Sequence, residues 1–135
     1  MKKSKKTPRK KLEEELEKLI ILKLFTRHGV ICQICRKEHN LSDNGKPLNM
    51  GQFHILPKGA FPNLKYHPKN ILWAGWFCCH YIFHHDFYKA RDTVIPLLEK
   101  LLGEGYEQEL RELSMSLPNM TISEIEKYIE VWNNY

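Results

Sequence analysis

No apolar run in this chain approaches the roughly 18–20 residues that cross a bilayer, so a membrane-spanning role is not expected. The basic N-terminus is not followed by a short apolar stretch with a small-residue cleavage site, so no secretory signal is expected and the expected location is cytoplasmic. There is no internal repeat. Cysteine is scarce, at four residues. In a reducing compartment these are ligands or free thiols rather than disulfides. Cys32 and Cys35 are too close for an ordinary structural bridge, and neighbours such as Cys78 and Cys79 rarely pair. No βαβ pattern surrounds Cys32-Gln33-Ile34-Cys35, as a thioredoxin-like redox pair would need.

Acid is missing from residues 1–11, which carry seven Lys/Arg. Residues 1–70 hold sixteen Lys/Arg against six Asp/Glu, and residues 71–135 hold five against ten, so the two parts are +10 and −5. A basic part of this kind is the electrostatic footprint of a phosphate-backbone binder. The hydrophobic content of 42% is ordinary for a globular protein, and 135 residues make one domain. Residues 1–11 read as a basic, disordered tail able to lie along nucleic acid, and 12–135 as the folded domain. Within it, 30–91 form the core unit and 92–135 a helical C-terminal extension.

The expected fold class is α+β. Leu12, Leu16, Leu19, Ile20 and Leu24 recur at helical spacing, which predicts a helix over 12–27, ended by His28-Gly29. Residues 30–39 hold the Cys-x-x-Cys knuckle, followed by a loop with His39, and Asp43-Asn44-Gly45-Lys46-Pro47 is a turn. Leu48 to Leu56 reads as a strand with Met50, Gln52, His54 and Leu56 on one face. Residues 57–69 form a loop. Residues 70–77 are a second strand or turn leading into a helix from about Cys78 to Arg91, with His80, His84 and Phe87 on one face. Trp73, Trp76 and Phe77 are expected in the core rather than as base-stacking platforms. Pro96 is expected to break or kink the pattern, with Thr93 capping a helix through Leu102. Helices follow over 106–115 and after the Thr121-Ile122-Ser123-Glu124 capping box.

The chemistry concentrates in the middle. Hydrolysis of a phosphodiester needs a base to take a proton from water, a metal to stabilise charge on the phosphate, and a brace for the base. His54 suits the base, because imidazole titrates near neutral pH. Asn70 suits the brace. His84 suits a divalent ion such as Mg²⁺ or Mn²⁺, with His80, His85 and Asp86 in reserve. A unit this small has little core, so a structural Zn²⁺ is expected to anchor its loops. Cys32, Cys35 and at least one of Cys78 and Cys79 are its expected ligands; the neighbouring Cys, His80 or His84 completes the set. Should His84 go to zinc, the catalytic ion falls to His85 or His80. Lys58, Lys65 and Lys69 lie on the loop over this site and are expected to contact phosphate.

Cys32-x2-Cys35, His54-Ile55-Leu56-Pro57-Lys58-Gly59, Asn70-Ile71 and Cys79-His80-x3-His84 together resemble an HNH endonuclease. The closer resemblance is to the NinG-like phage recombination nucleases, through the basic N-terminal helix, Leu64-Lys65-Tyr66-x3-Asn70 and the tail helices with their Thr-x-x-Glu box. The resemblance implies a ββα-metal (His-Me) finger with a zinc knuckle, DNA as substrate, branched or single-stranded forms included, and a role in recombination within a bacterial host cell. Two departures stand out. Phe53 occupies the position where many HNH enzymes carry Asp or His. The second zinc pair lacks its first Cys, which falls at Gly75 or Trp76. A nuclease-like fold that binds nucleic acid through a zinc finger without cutting is the alternative. A structural zinc protein whose tail helices bind a partner is a third.

Overall fold

Thr7 and Pro8 start the first helix. The Thr7 hydroxyl accepts from the Lys10 amide at 3.2 Å, and Pro8 sits where a missing N–H costs nothing. Helix α1 runs Pro8–His28 in a computed structural model that describes residues 5–135. The helix therefore takes in Pro8 to Lys11, which the charge pattern had assigned to a disordered tail; Met1 to Ser4 of that tail lie outside the described residues. Leu16, Ile20 and Leu24 are fully buried, and Gly29, at φ +62°, ends the helix as expected.

Strands β1, Met50–His54, and β2, Ile71–Gly75, form an antiparallel pair in the register Met50 to Gly75 and His54 to Ile71. The first strand is shorter than 48–56. Asn49 adopts φ +57°, outside the strand region, and beyond His54 the Leu56 amide leaves the ladder for the Asn70 side chain. Met50, Gln52 and His54 keep a common face. Leu56 does not share it, and is buried with Phe53 and Ile55 on the other side.

The pair separates two cores. On one face Ile71 and Trp73 join Leu16, Ile20 and Leu24 of α1 and Ile125, Tyr128 and Trp132 of the last helix. The Trp73 indole donates to the Gly29 carbonyl at 2.9 Å, and that of Trp132 to Tyr66 O at 2.8 Å, so both buried rings satisfy their polar end. On the other face Phe53, Ile55, Leu72 and Ala74 meet Cys32, Ile34 and Cys79, with Val94, Leu98, Tyr106 and Leu110 beyond. The architecture is mixed α+β.

Helix α2 covers residues 76–85, opening with a π-turn over Trp76–His80 and continuing as α-helix over Tyr81–His85. It does not run on to Arg91. Asp86 leaves the helical region at φ −130°, ψ 87°, and its carboxylate accepts from the Lys89 amide at 3.1 Å, capping α3 over residues 87–102. Phe87 thus falls beyond the break and is exposed, off the face shared by His80 and His84. Thr93 is no cap: its hydroxyl donates back to Lys89 O at 2.6 Å. Helix α3 passes through Pro96 because a π-turn over Ala90–Val94 absorbs the missing N–H. Helices α4, Tyr106–Ser116, and α5, Ile122–Asn133, follow, with Thr121 accepting from the Glu124 amide at 3.3 Å. Among the described residues no helix is long and apolar enough to cross a membrane.

Candidate functional site

The knuckle after α1 turns tightly because the Cys32 amide donates to Lys37 O and the Arg36 amide to Cys32 O, each at 2.9 Å. That turn directs Cys32 and Cys35 at α2. Cys78 and Cys79 both come to meet them, and the four Sγ atoms lie within 4.8 Å of one another. Cys32 and Cys79 are 3.8 Å apart. Tetrahedral zinc with Zn–S bonds of about 2.3 Å places its sulfurs about 3.8 Å apart, so the donor set fits a structural metal such as zinc. Hydrogen bonds from Cys78 and Cys79 push the Cys32 thiol far down in pKa, while the bond to Cys32 raises both partners. Four thiolates held this close need a positive centre between them.

Adjacent cysteines share one site because α2 opens with a π-turn, in which neighbouring side chains are less rotated from each other than in an α-turn. The absent cysteine at position 75 has a steric reason. A Cβ on Gly75 would meet His39 Nε2 at 2.4 Å and Cys78 Sγ at 2.5 Å. His39, expected to be only a loop residue, lies 3.6 Å from Cys78 Sγ. The spacing Cys32-x2-Cys35-x3-His39 was the available signal. Gly75→Ala is expected to displace Cys78 or His39 and speed zinc transfer to a chromogenic chelator at least tenfold, with the strands retained by circular dichroism.

A second feature is a cleft of about 540 Å³ lined by α1, β1, the 57–66 loop and α2. His54, His80, His84 and His85 all reach it, as do Lys58 and Lys65. His54 Nε2 lies 2.8 Å from the Lys65 carbonyl, which accepts the Nε2 proton and leaves Nδ1 as the free acceptor. Burial, opposed by that hydrogen bond, lowers the His54 pKa, and Lys58 and Lys65 lower it further, which favours the neutral ring. Burial and the neighbouring histidines lower His80 to about 4, and burial with His85 lowers His84. The rings of His80 and His84 are 5.0 Å apart and flank Phe53. Phe53 is fully buried.

Asn70 is fully buried and joins the two ends of the loop. Its amide nitrogen donates to Leu56 O at 3.0 Å and Leu64 O at 3.2 Å, and its oxygen accepts from the Leu56 amide at 2.8 Å. It braces the segment that presents Lys58 and the Lys65 carbonyl, and it holds His54 only through that segment. Asn70→Ala strands three buried backbone groups and is expected to cost about 3 kcal/mol in denaturant unfolding.

Other expectations are corrected. His80 and His84 lie in the cleft and not in the cysteine cluster. The Asp86 carboxylate caps α3 through one oxygen and does not line the cleft. The Lys65 ammonium sits 3.8 Å from Glu13 and 4.0 Å from Glu17, so it is already paired. Lys69 lines a different hollow, with Glu109 and Tyr135. Among the described residues no second set of three His, Cys, Asp or Glu donor atoms converges as the cysteines do. Trp73 is core, but Trp76 and Phe77 are exposed. No protein family, curated protein or solved structure matches this chain.

Proposed function

We propose that this chain is a metal-dependent DNA endonuclease of HNH type, in which β1, β2 and α2 serve as a ββα-metal finger stapled by zinc. The observation that carries the reading is the His54 ring, tied through Nε2 to the Lys65 carbonyl in a cleft that Lys58 also lines, with Nδ1 left to accept a proton. In this role His54 takes a proton from water, the oxygen attacks phosphorus, and the P–O bond on the far side breaks, the leaving oxygen taking its proton from solvent. A divalent ion would be held by His84, with His80 and His85 beside it, jointly with phosphate oxygens, and would offset charge on the phosphate. Lys58 would take a neighbouring phosphate. The NinG-like resemblance adds a role in phage DNA recombination.

A second reading has a specific observation in its favour. Phe53 removes a customary ligand, and a ready three-donor site is lacking among the cleft residues described. On that reading the chain binds nucleic acid and does not cut it. Incubation with supercoiled plasmid in Mg²⁺ or Mn²⁺ separates the two. Conversion to open circles supports the nuclease; a salt-dependent gel shift with no conversion in either ion supports binding alone.

A further inference from the structure

Helix α2, which gives Trp76, His80, His84 and His85 to the cleft, also presents aromatic rings to solvent. Trp76 is 41% exposed, Tyr81 49% and Phe77 66%, and none of them belongs to either core. Packing does not account for the first two, which are ordered against one another. The Trp76 indole lies on His80, with ring centres 4.5 Å apart and 27° between planes. Tyr81 lies on His85 at 4.8 Å and 31°, and is 6.4 Å from Trp76. His80, His85 and Trp76 line the same cleft as His54 and Lys58. Large rings held at the surface and backed by rings that line one cleft with Lys58, which has no ion pair among the described residues, match the stacking platform and cationic track that hold unpaired nucleotides.

We propose that Trp76 and Tyr81 form a stacking platform for an unpaired base next to the phosphate held in the cleft, so that the substrate class is DNA single-stranded at that point. A paired base in continuous duplex has its faces covered by its neighbours and offers none to a ring. The duplex keeps only its phosphates for Lys58. The proposal rests on the reading of the cleft as a nucleic-acid site, and its test needs no cleavage.

The zinc-loaded 135-residue chain, without added divalent ion, is titrated into a fluorescein-labelled single-stranded oligodeoxynucleotide and, separately, into a hairpin duplex of the same composition, with anisotropy as the readout. The single strand is expected to bind more tightly. Trp76→Ala is expected to weaken single-strand binding about tenfold or more and duplex binding by less than about twofold, since stacking on one ring is worth that much. Trp76→Phe keeps a ring and should restore most of the loss. Tyr81→Ala should act in the same direction. Equal losses on both DNAs, or no loss on the single strand, overturn the platform, as does absence of oligonucleotide binding at low salt. Unchanged zinc content and melting midpoint show that each variant is folded. Ring-dependent single-strand binding by a chain that never nicks plasmid keeps the platform and removes the nuclease; nicking with ring-independent binding does the reverse.

Discussion

Removing the metal from the four-cysteine cluster is expected to lower the melting midpoint by about 15 °C or more and to free the segment between α1 and β1 from protection against hydrogen exchange. Over residues 29–49 only Cys32 and Ile34 are buried, so hydrophobic burial contributes little there. What remains is a few backbone hydrogen bonds, among them Cys32 to Lys37 and His39 to Val30. Four sulfurs without a cation also crowd one another. Structural zinc sites in small domains carry apparent binding energies of about 10–16 kcal/mol, far more than those bonds supply. Cys79→Ser is the sharper variant, because Cys79 is fully buried and joins the knuckle to the core around Phe53 and Leu98. Calorimetry with and without a chelator, on wild type and variant, checks this. A chelated wild type that melts where the loaded protein does would remove the staple.

His54→Ala is expected to lower the plasmid-nicking rate by about 10²–10⁴-fold, the usual contribution of a positioned base. Its fold cost is small by comparison. The ring is only partly buried, on the cleft side of β1, and it gives up one hydrogen bond, to the Lys65 carbonyl. That carbonyl opens to the cleft and can take a water in its place. Zinc content is expected to stay at wild-type level, because no cysteine of the cluster touches His54. A variant that loses activity together with zinc would point to a folding defect instead.

The helices and the strand pair were legible because periodicity and caps speak through neighbouring residues: Leu16, Ile20 and Leu24 for α1, and Thr121 for α5. Thr7-Pro8 was equally local, but the Lys/Arg run around it reads as tail. The knuckle, His54 and Asn70 stood out by residue type and spacing. The convergence of both Cys78 and Cys79 was among the readings their adjacency offered, beside His80 or His84 as the last ligand; the choice between them depends on a π-turn that no side-chain pattern marks. The role of Gly75 emerges only when His39, distant in sequence, occupies the space of its Cβ. The exposure of Trp76 and the pairing of Lys65 with Glu13 and Glu17 depend on where α1 lies against the loop, which is tertiary. Asp86, named as a reserve ligand beside three histidines, also caps a helix, a role that shows only once the chain breaks at that residue.

The most direct measurement is cleavage of supercoiled plasmid in Mg²⁺ or Mn²⁺ by wild type and His54→Ala, each from a preparation with its zinc counted. One zinc per chain in both, with open circles formed by the wild type and nicking reduced at least a hundredfold in the variant, is the predicted result. Equal nicking by the two, or none by a fully zinc-loaded wild type in either ion, would contradict the assignment of His54 as the base of a nuclease.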